Sequence, residues 1–334
     1  MIRIGAQHPT HPWWGIADVV CEALVGHRLG LLPGVRVSVV TSTDLQGALW
    51  NPVEVGTGEL TLAITTPSAA ARLAIEGRGP YRTACPGLRA IAAYPHMDWI
   101  VFMVSASTAI TSLYQLAETH YPLRLVTGRR RGGLQDVLTF TVEEVLRQYG
   151  ISYDAIERWG GHVFFGGPTH LGGKLVLEGE ADAMFQEHRH AAIWHEIAAS
   201  QPMTCLAVDE EVVRHVQRTY GFAPAEIPAG AYRGVERPVP TVDFSGWLVF
   251  CREDLPDDHA YAVARACDLT REQVTQALPD HALLTWDLPA AGPDYMFTRT
   301  VIPLHPGAAA YARERGYIGR ADSSPYPAAP GRQE

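Results

Sequence analysis

Strand and helix signals alternate from the first residues. "IRIGA" at 2–6 leads into a helical pattern from Trp14 to His27, "VRVSVV" at 35–40 into a short helix near Leu45 to Trp50, and "LTLAIT" at 60–65 into a helix from Pro67 to Ile75. This order leaves few folds open. Parallel neighbours need a long crossover, so repeated βα units build an α/β architecture around a largely parallel sheet. In the first helix Ile16, Val19, Val20, Ala23 and Leu24 recur at helical spacing. One face therefore packs on the sheet, and the helix N-terminus is left at the strand ends.

After "LRAIAAYP" and "DWIVFMVS" the alternation starts again. "LRLVTG" at 123–128 precedes a long helix from Gly133 to Tyr149, striped by Leu134, Val137, Leu138, Thr141, Val145, Leu146 and Tyr149. "ADAMFQ" at 181–186, a helix around Ala191 to Ala199 and "MTCLAV" at 203–208 follow, and then a strand in "TVDFSGWLVFC". At 334 residues, with 47% hydrophobic and 19% charged side chains, the chain exceeds one ordinary core. The two runs predict two domains, 1–103 plus 241–318 and 104–240, with a flexible tail at 319–334 rich in Pro, Ser, Gly and Ala. A faint internal echo, "EVGTGELTLAITTP" and "VLEGEADAMFQEH", places Gly56 and Gly179 at helix ends, where positive φ is needed.

Composition and motifs exclude several classes. A net charge of −9 opposes a general nucleic-acid binder, which needs Lys and Arg over a whole face. Five cysteines without C-x-x-C spacing suggest neither a disulfide framework nor a zinc knuckle. No apolar run reaches the roughly 20 residues of a membrane span, so direct membrane insertion is not expected. There is no G-x-S-x-G elbow, no P-loop and no G-x-G-x-x-G after the first strand, and no motif calls for a cofactor. Met1 leads straight into a strand without a leader pattern. The compartment is therefore periplasmic if a leader was removed and cytoplasmic if Met1 is the native start.

In open α/β sheets ligands bind beyond the carboxyl ends of the strands, which selects the candidate site residues. The first such loop, "AQHPTHPWWG", presents His8, Thr10, His11 and the Trp13/Trp14 pair, with Pro12 suited to the first helical turn. Ser42 and Thr43 follow the second strand, and Thr65 and Thr66 the third. In the second run Arg129, Arg130, Arg131 and Gly132 lie between a strand and the start of the long helix, a place where unpaired N–H groups and the helix dipole favour an anion. Thr169 and His170 open a later helix, and Gln186, Glu187 and His188 follow "ADAMF". Each Ser or Thr serves equally as a cap or turn residue. His8, His11, His188 and His190 are an alternative metal or acid–base set, although no H-E-x-x-H spacing supports them.

"GTGELTLAITTPSAA", "LEGEADAMF", the stretch from Tyr232 to Ala264 and "LHPGA" at 304–308, in that order, resemble the TAXI family of TRAP-transporter solute-binding proteins over about Ile2 to Gly316. The resemblance implies a type II periplasmic-binding-protein-like fold: two α/β domains with mixed, mainly parallel sheets, a double-crossover hinge, and a cleft that closes on a small carboxylated solute. It also implies TRAP membrane subunits as partners. The chain departs from the family where the ligand should sit. "HPTHPWWG" replaces a small-residue and tyrosine-rich loop, and "TGRRRGG" replaces a small polar one. The expected function is capture of a small organic anion without catalysis. The alternatives are a cytoplasmic decarboxylase- or hydrolase-like enzyme on the same fold, using His11, His188 and Glu187 on a carboxylated or aromatic compound, and a cytosolic ligand sensor.

Overall fold

A computed structural model of the protein describes residues 1–41, 47–167, 169–286, 292 and 294–319. Ser42, Thr43 and the expected tail beyond Gly319 lie outside the described residues. In chain order the strands are β1 (Ile2–Ala6), β2 (Val37–Thr41), β3 (Leu62–Thr65), β4 (Leu88–Tyr94), β5 (Val101–Ser105), β6 (Arg124–Thr127), β7 (Arg130–Arg131), β8 (Leu134–Gln135), β9 (His162–Phe165), β10 (Ala183–Gln186), β11 (Met203–Cys205), β12 (Pro224–Ile227), β13 (Val239–Val242) and β14 (Trp247–Arg252).

The chain divides into a first unit, Met1–Met97 with Ser245–Glu334, and a second, Asp98–Phe244, so it passes between them twice. Residues 98–103 belong to the second unit because β5 pairs there with β10 and β11.

In the first unit the sheet order is β2-β1-β3-β14-β4. β1 runs parallel to β2 and β3, while the returning β14 is antiparallel to β3 and β4. The apolar face of the helix Pro12–Val25 meets this sheet as its spacing predicts, with Ile16, Ala17, Val20, Ala23 and Leu24 buried. Its partners include Ile4, Leu62, Ile91 and Val249 of the sheet, and Val263 and Cys267 of the helix Asp257–Leu269.

In the second unit the order is β11-β5-β10-β6-β9. β10, β6 and β9 are parallel, and β5 is antiparallel to both of its neighbours. Trp194 and Ile197 of the helix Ala192–Ser200, Val176 of the helix Thr169–Leu177 and Met184 of β10 share one core.

Two local expectations are corrected. Gly179 holds φ 74 beyond the helix Thr169–Leu177, but the matching residue in the first unit is Gly58 at φ 84, and Gly56 lies inside the helix Gly47–Thr57. A Cβ on Gly56 would come within 2.6 Å of the Cys85 sulfur, so close packing is what needs that glycine. The long helix begins at Val137, since residues 130–135 form a β7/β8 hairpin with Gly132 and Gly133 at φ 58 and 77. Two successive positive φ values are what a two-residue hairpin turn demands, and Gly-Gly supplies them without strain.

Among the described residues none of the cysteines is in a disulfide. Cys85, Cys251 and Cys267 are buried, and Cys21 and Cys205 are partly so. No described helix is long and apolar enough to cross a membrane.

Candidate functional site

The first unit presents its opening loop at the carboxyl end of β1. His11 is the N-cap of the helix Pro12–Val25: its Nδ1 accepts the Trp13 N–H at 3.3 Å, and Pro12 fills the position where no N–H is needed. A ring nitrogen that accepts a backbone N–H carries no proton there. His8 shares a 2.8 Å hydrogen bond between its Nδ1 and Thr10 Oγ1, and its ring lies edge-on to His11 at 5.7 Å between centroids. Trp13 is only 1% exposed and packs in the core, whereas Trp14 touches that core from a partly buried position.

Two further candidates of the first unit end the third strand. Thr65 is buried as the last residue of β3, and Thr66 follows with a buried hydroxyl that has no hydrogen-bond partner. Ser68 and Asn51, neither proposed from the sequence, add a hydroxyl and an amide oxygen in the same condition, while Asn51 Nδ2 donates to the Ile64 carbonyl at 2.6 Å. Buried polar atoms of this kind are rare in a closed core and mark a polar edge.

In the second unit the carboxyl ends of β6, β9 and β10 carry the remaining candidates. Gln186, 2% exposed, donates from Nε2 to the Gly167 carbonyl at 3.0 Å and accepts the Glu187 N–H at 3.2 Å. Arg129 reaches the same place, since a Cβ on Gly167 would stand 3.1 Å from its Nε. Gln186, Arg129 and the 166–167 loop thus form one edge. Arg130, Arg131 and Gly132 do not join it and lie exposed on the hairpin, with Arg130 5.7 Å from the Phe165 ring centre. Thr169 is buried at the start of its helix and His170 is exposed. His188 is exposed, and its backbone adopts φ 73.

The expectation that the arginine turn and the long helix present an open anion site is corrected by Asp136. Its Oδ1 accepts the Thr139 N–H at 2.7 Å and its Oδ2 accepts the Arg129 N–H at 2.8 Å, so a carboxylate of the chain already occupies the positive end of the helix. Burial raises the Asp136 carboxyl despite these bonds. The D-x-x-T spacing just before an apolar stripe could have signalled this cap from the sequence.

Asp98 is a further residue that sequence reasoning missed. Its carboxylate gathers the N–H groups of Trp99, His188 and Arg189 at 2.8, 3.0 and 2.9 Å. The Glu187 carboxyl lies well above the ordinary carboxylate range, first through burial and then through the charge of Asp98. Among the described residues no group of three or more His, Cys, Asp or Glu is arranged to hold a metal ion.

The profile of the NMT1-like family matches residues 19–316. A TctC solute binding protein from Polaromonas has a similar structure, at 15% identity, 95% coverage of both chains and a TM-score of 0.50. A Xanthomonas citri protein solved bound to ATP is similar at 14% identity, with 95% of this chain and 99% of that chain covered and a TM-score of 0.50. At these identities the likeness concerns the fold, an α/β architecture of periplasmic-binding-protein type. No curated protein matches the chain.

Proposed function

The chain belongs to the NMT1-like family, and from that premise we propose that it is a solute-binding protein of transport type that captures a small organic anion. The observation that supports this reading best is the edge at the ends of β6, β9 and β10. A buried glutamine fixed at both ends of its amide stands beside an arginine and a glycine-lined loop. Such preset donors can hold a carboxylate with little ordering on binding. The Polaromonas relative, a solute binding protein by name, agrees with the role.

Within the family we place the chain with TAXI-type receptors, on the Tyr232–Ala264 and Leu304–Ala308 segments, and propose TRAP membrane subunits as its partners. Native mass spectrometry of the purified protein, before and after mild denaturation, tests the reading. A small acidic compound released on unfolding is expected. A protein that carries none and gains no thermal stability from dicarboxylates, amino acids, aromatic acids or ATP contradicts it.

A further inference from the structure

Building on the solute-binding reading, we propose that Asp98 is the positioning residue of the anion-binding edge in the second unit. Its carboxylate holds the turn Gln186–His190 in the shape that leaves one Gln186 N–H for the solute.

Asp98 is 1% exposed, and its two oxygens divide three backbone donors. Oδ1 accepts the N–H groups of Trp99 and Arg189 at 2.8 and 2.9 Å, and Oδ2 accepts that of His188 at 3.0 Å. His188 holds a left-handed φ of 73, unfavourable for a residue with a Cβ, so the turn persists because the surrounding bonds impose it. Consecutive N–H groups at such a residue form a concavity suited to an anion. Here the chain's own carboxylate fills it, and a bound solute must find its donors elsewhere.

Gln186 supplies one. At the end of β10 its Oε1 accepts the Glu187 N–H at 3.2 Å, and one Nε2 hydrogen goes to the Gly167 carbonyl at 3.0 Å. Turning the amide over would set its NH2 against the Glu187 N–H and its oxygen against the Gly167 carbonyl, so the orientation is fixed. The second Nε2 hydrogen is left for an acceptor on the solute. The Glu187 N–H that orients the amide belongs to the turn that Asp98 pins at the next two residues.

The anchor is itself held. The Asp98 carbonyl accepts the Phe244 N–H and the Ile100 N–H donates to the Val242 carbonyl, both at 3.0 Å, and Trp99 bridges Asp243. Two further contacts steady the turn: the Arg189 guanidinium lies 5.1 Å from the Trp99 ring centre, and the Tyr232 hydroxyl donates to the Arg189 carbonyl at 3.3 Å. A donor supported in this way keeps its geometry before the solute arrives, which reduces the ordering cost of binding.

Amide hydrogen exchange of wild type and Asp98→Asn, followed by NMR, tests the role. Asparagine brings one oxygen and one NH2 group where two oxygens are needed, so the backbone N–H of His188 or Arg189 should exchange about tenfold faster, and the Gln186 side-chain amide with it. Leu125 and Val126 of β6 should exchange as in wild type; acceleration there by the same factor would make the role merely structural and overturns the proposal. A released turn with an unchanged Gln186 amide overturns it too, as does unchanged exchange throughout. If the variant does not fold, wild type decides: its Asp98 carboxyl carbon is expected to couple across hydrogen bonds to the nitrogens of His188 and Arg189, and absence of those couplings overturns the hold. Succinate should bind Asp98→Asn about tenfold more weakly than wild type, and equal binding overturns the positioning role. Exchange that responds as expected, with succinate bound by neither protein, sustains the hold on Gln186 and counts against the anion reading.

Discussion

Asp136 accepts the Arg129 N–H at 2.8 Å on its carboxylate, while the Arg129 carbonyl accepts the Asp136 N–H at 2.9 Å. This reciprocal pair closes the arginine hairpin onto the helix Val137–Gln148, and it decides which arginine can serve the candidate site. Arg129 is held at the strand ends, and the next two residues are carried outward on the hairpin.

Asp136→Ala removes a helix cap and the hairpin tie together. A lost N-cap costs about 1–2 kcal/mol, so the urea midpoint should fall accordingly. Asp136→Asn, whose single amide oxygen can accept only one of the two N–H groups, should retain the helix cap or the hairpin tie but not both, and fall between wild type and the alanine variant. An alanine variant as stable as wild type would show that the cap contributes nothing.

The helix Thr169–Leu177 contains Gly172 and Gly173 where propensity alone would favour alanine. A Cβ on Gly173 would lie 2.1 Å from Ile193 Cγ1, and one on Gly172 2.5 Å from Val126 Cγ1. Gly173→Ala should therefore destabilise by about 1–3 kcal/mol through overpacking, against the gain that an exposed helix position would give. Denaturant unfolding of the single variant reads the sign directly.

Asp268 joins two helices of the first unit. Its Oδ2 accepts the Tyr311 hydroxyl at 2.6 Å, and Arg271 contacts its Oδ1 closely. Tyr311→Phe removes a bond to a buried charge while keeping the ring, and the expected loss is about 1.5–3 kcal/mol. A loss below about half a kcal/mol, measured by denaturation, would mean that Arg271 and the Tyr317 hydroxyl, which donates to Asp268 Oδ2 at 3.2 Å, compensate.

Much of this architecture is legible in the chain, and the exceptions share a physical cause. β1, the helix Pro12–Val25 and the stripe of Val137–Gln148 are local patterns, each set by side-chain spacing within about ten residues. The Gly-Gly hairpin was also local, but an apolar stripe extending back to Leu134 suggested helix instead. The reversal of β5 and β14 was not legible, because it depends on where the chain crosses between units. At the site, Gln186 and Arg129 follow from strand-end position alone. Asp98 does not, since its partner His188 lies 90 residues away and only the fold brings them together.

His305 caps the helix Pro306–Glu314 as His11 caps its own, with Nδ1 accepting the Gly307 N–H at 3.2 Å. Asp257 lies 3.7 Å from that nitrogen, but a nitrogen accepting an N–H holds no proton, so the two are not an ion pair. Burial lowers the His305 pKa below its ordinary value. A depressed pKa means that its contribution is fully present above about pH 6.5, the unfolded value, and is lost as pH falls through the folded value. The thermal midpoint should thus decline on acidification below pH 6.5 in wild type. It should decline less in His305→Asn, which can cap without titrating; equal slopes would contradict the assignment.

Calorimetric titration of wild type, Arg129→Ala and Gln186→Ala with a panel of dicarboxylates, amino acids and aromatic acids tests the anion-binding edge most directly. At least one acid should bind wild type, and each substitution should weaken it tenfold or more, while Arg131→Ala leaves it unchanged. A panel in which nothing binds, or in which Arg129→Ala and Gln186→Ala bind as tightly as wild type, contradicts the account.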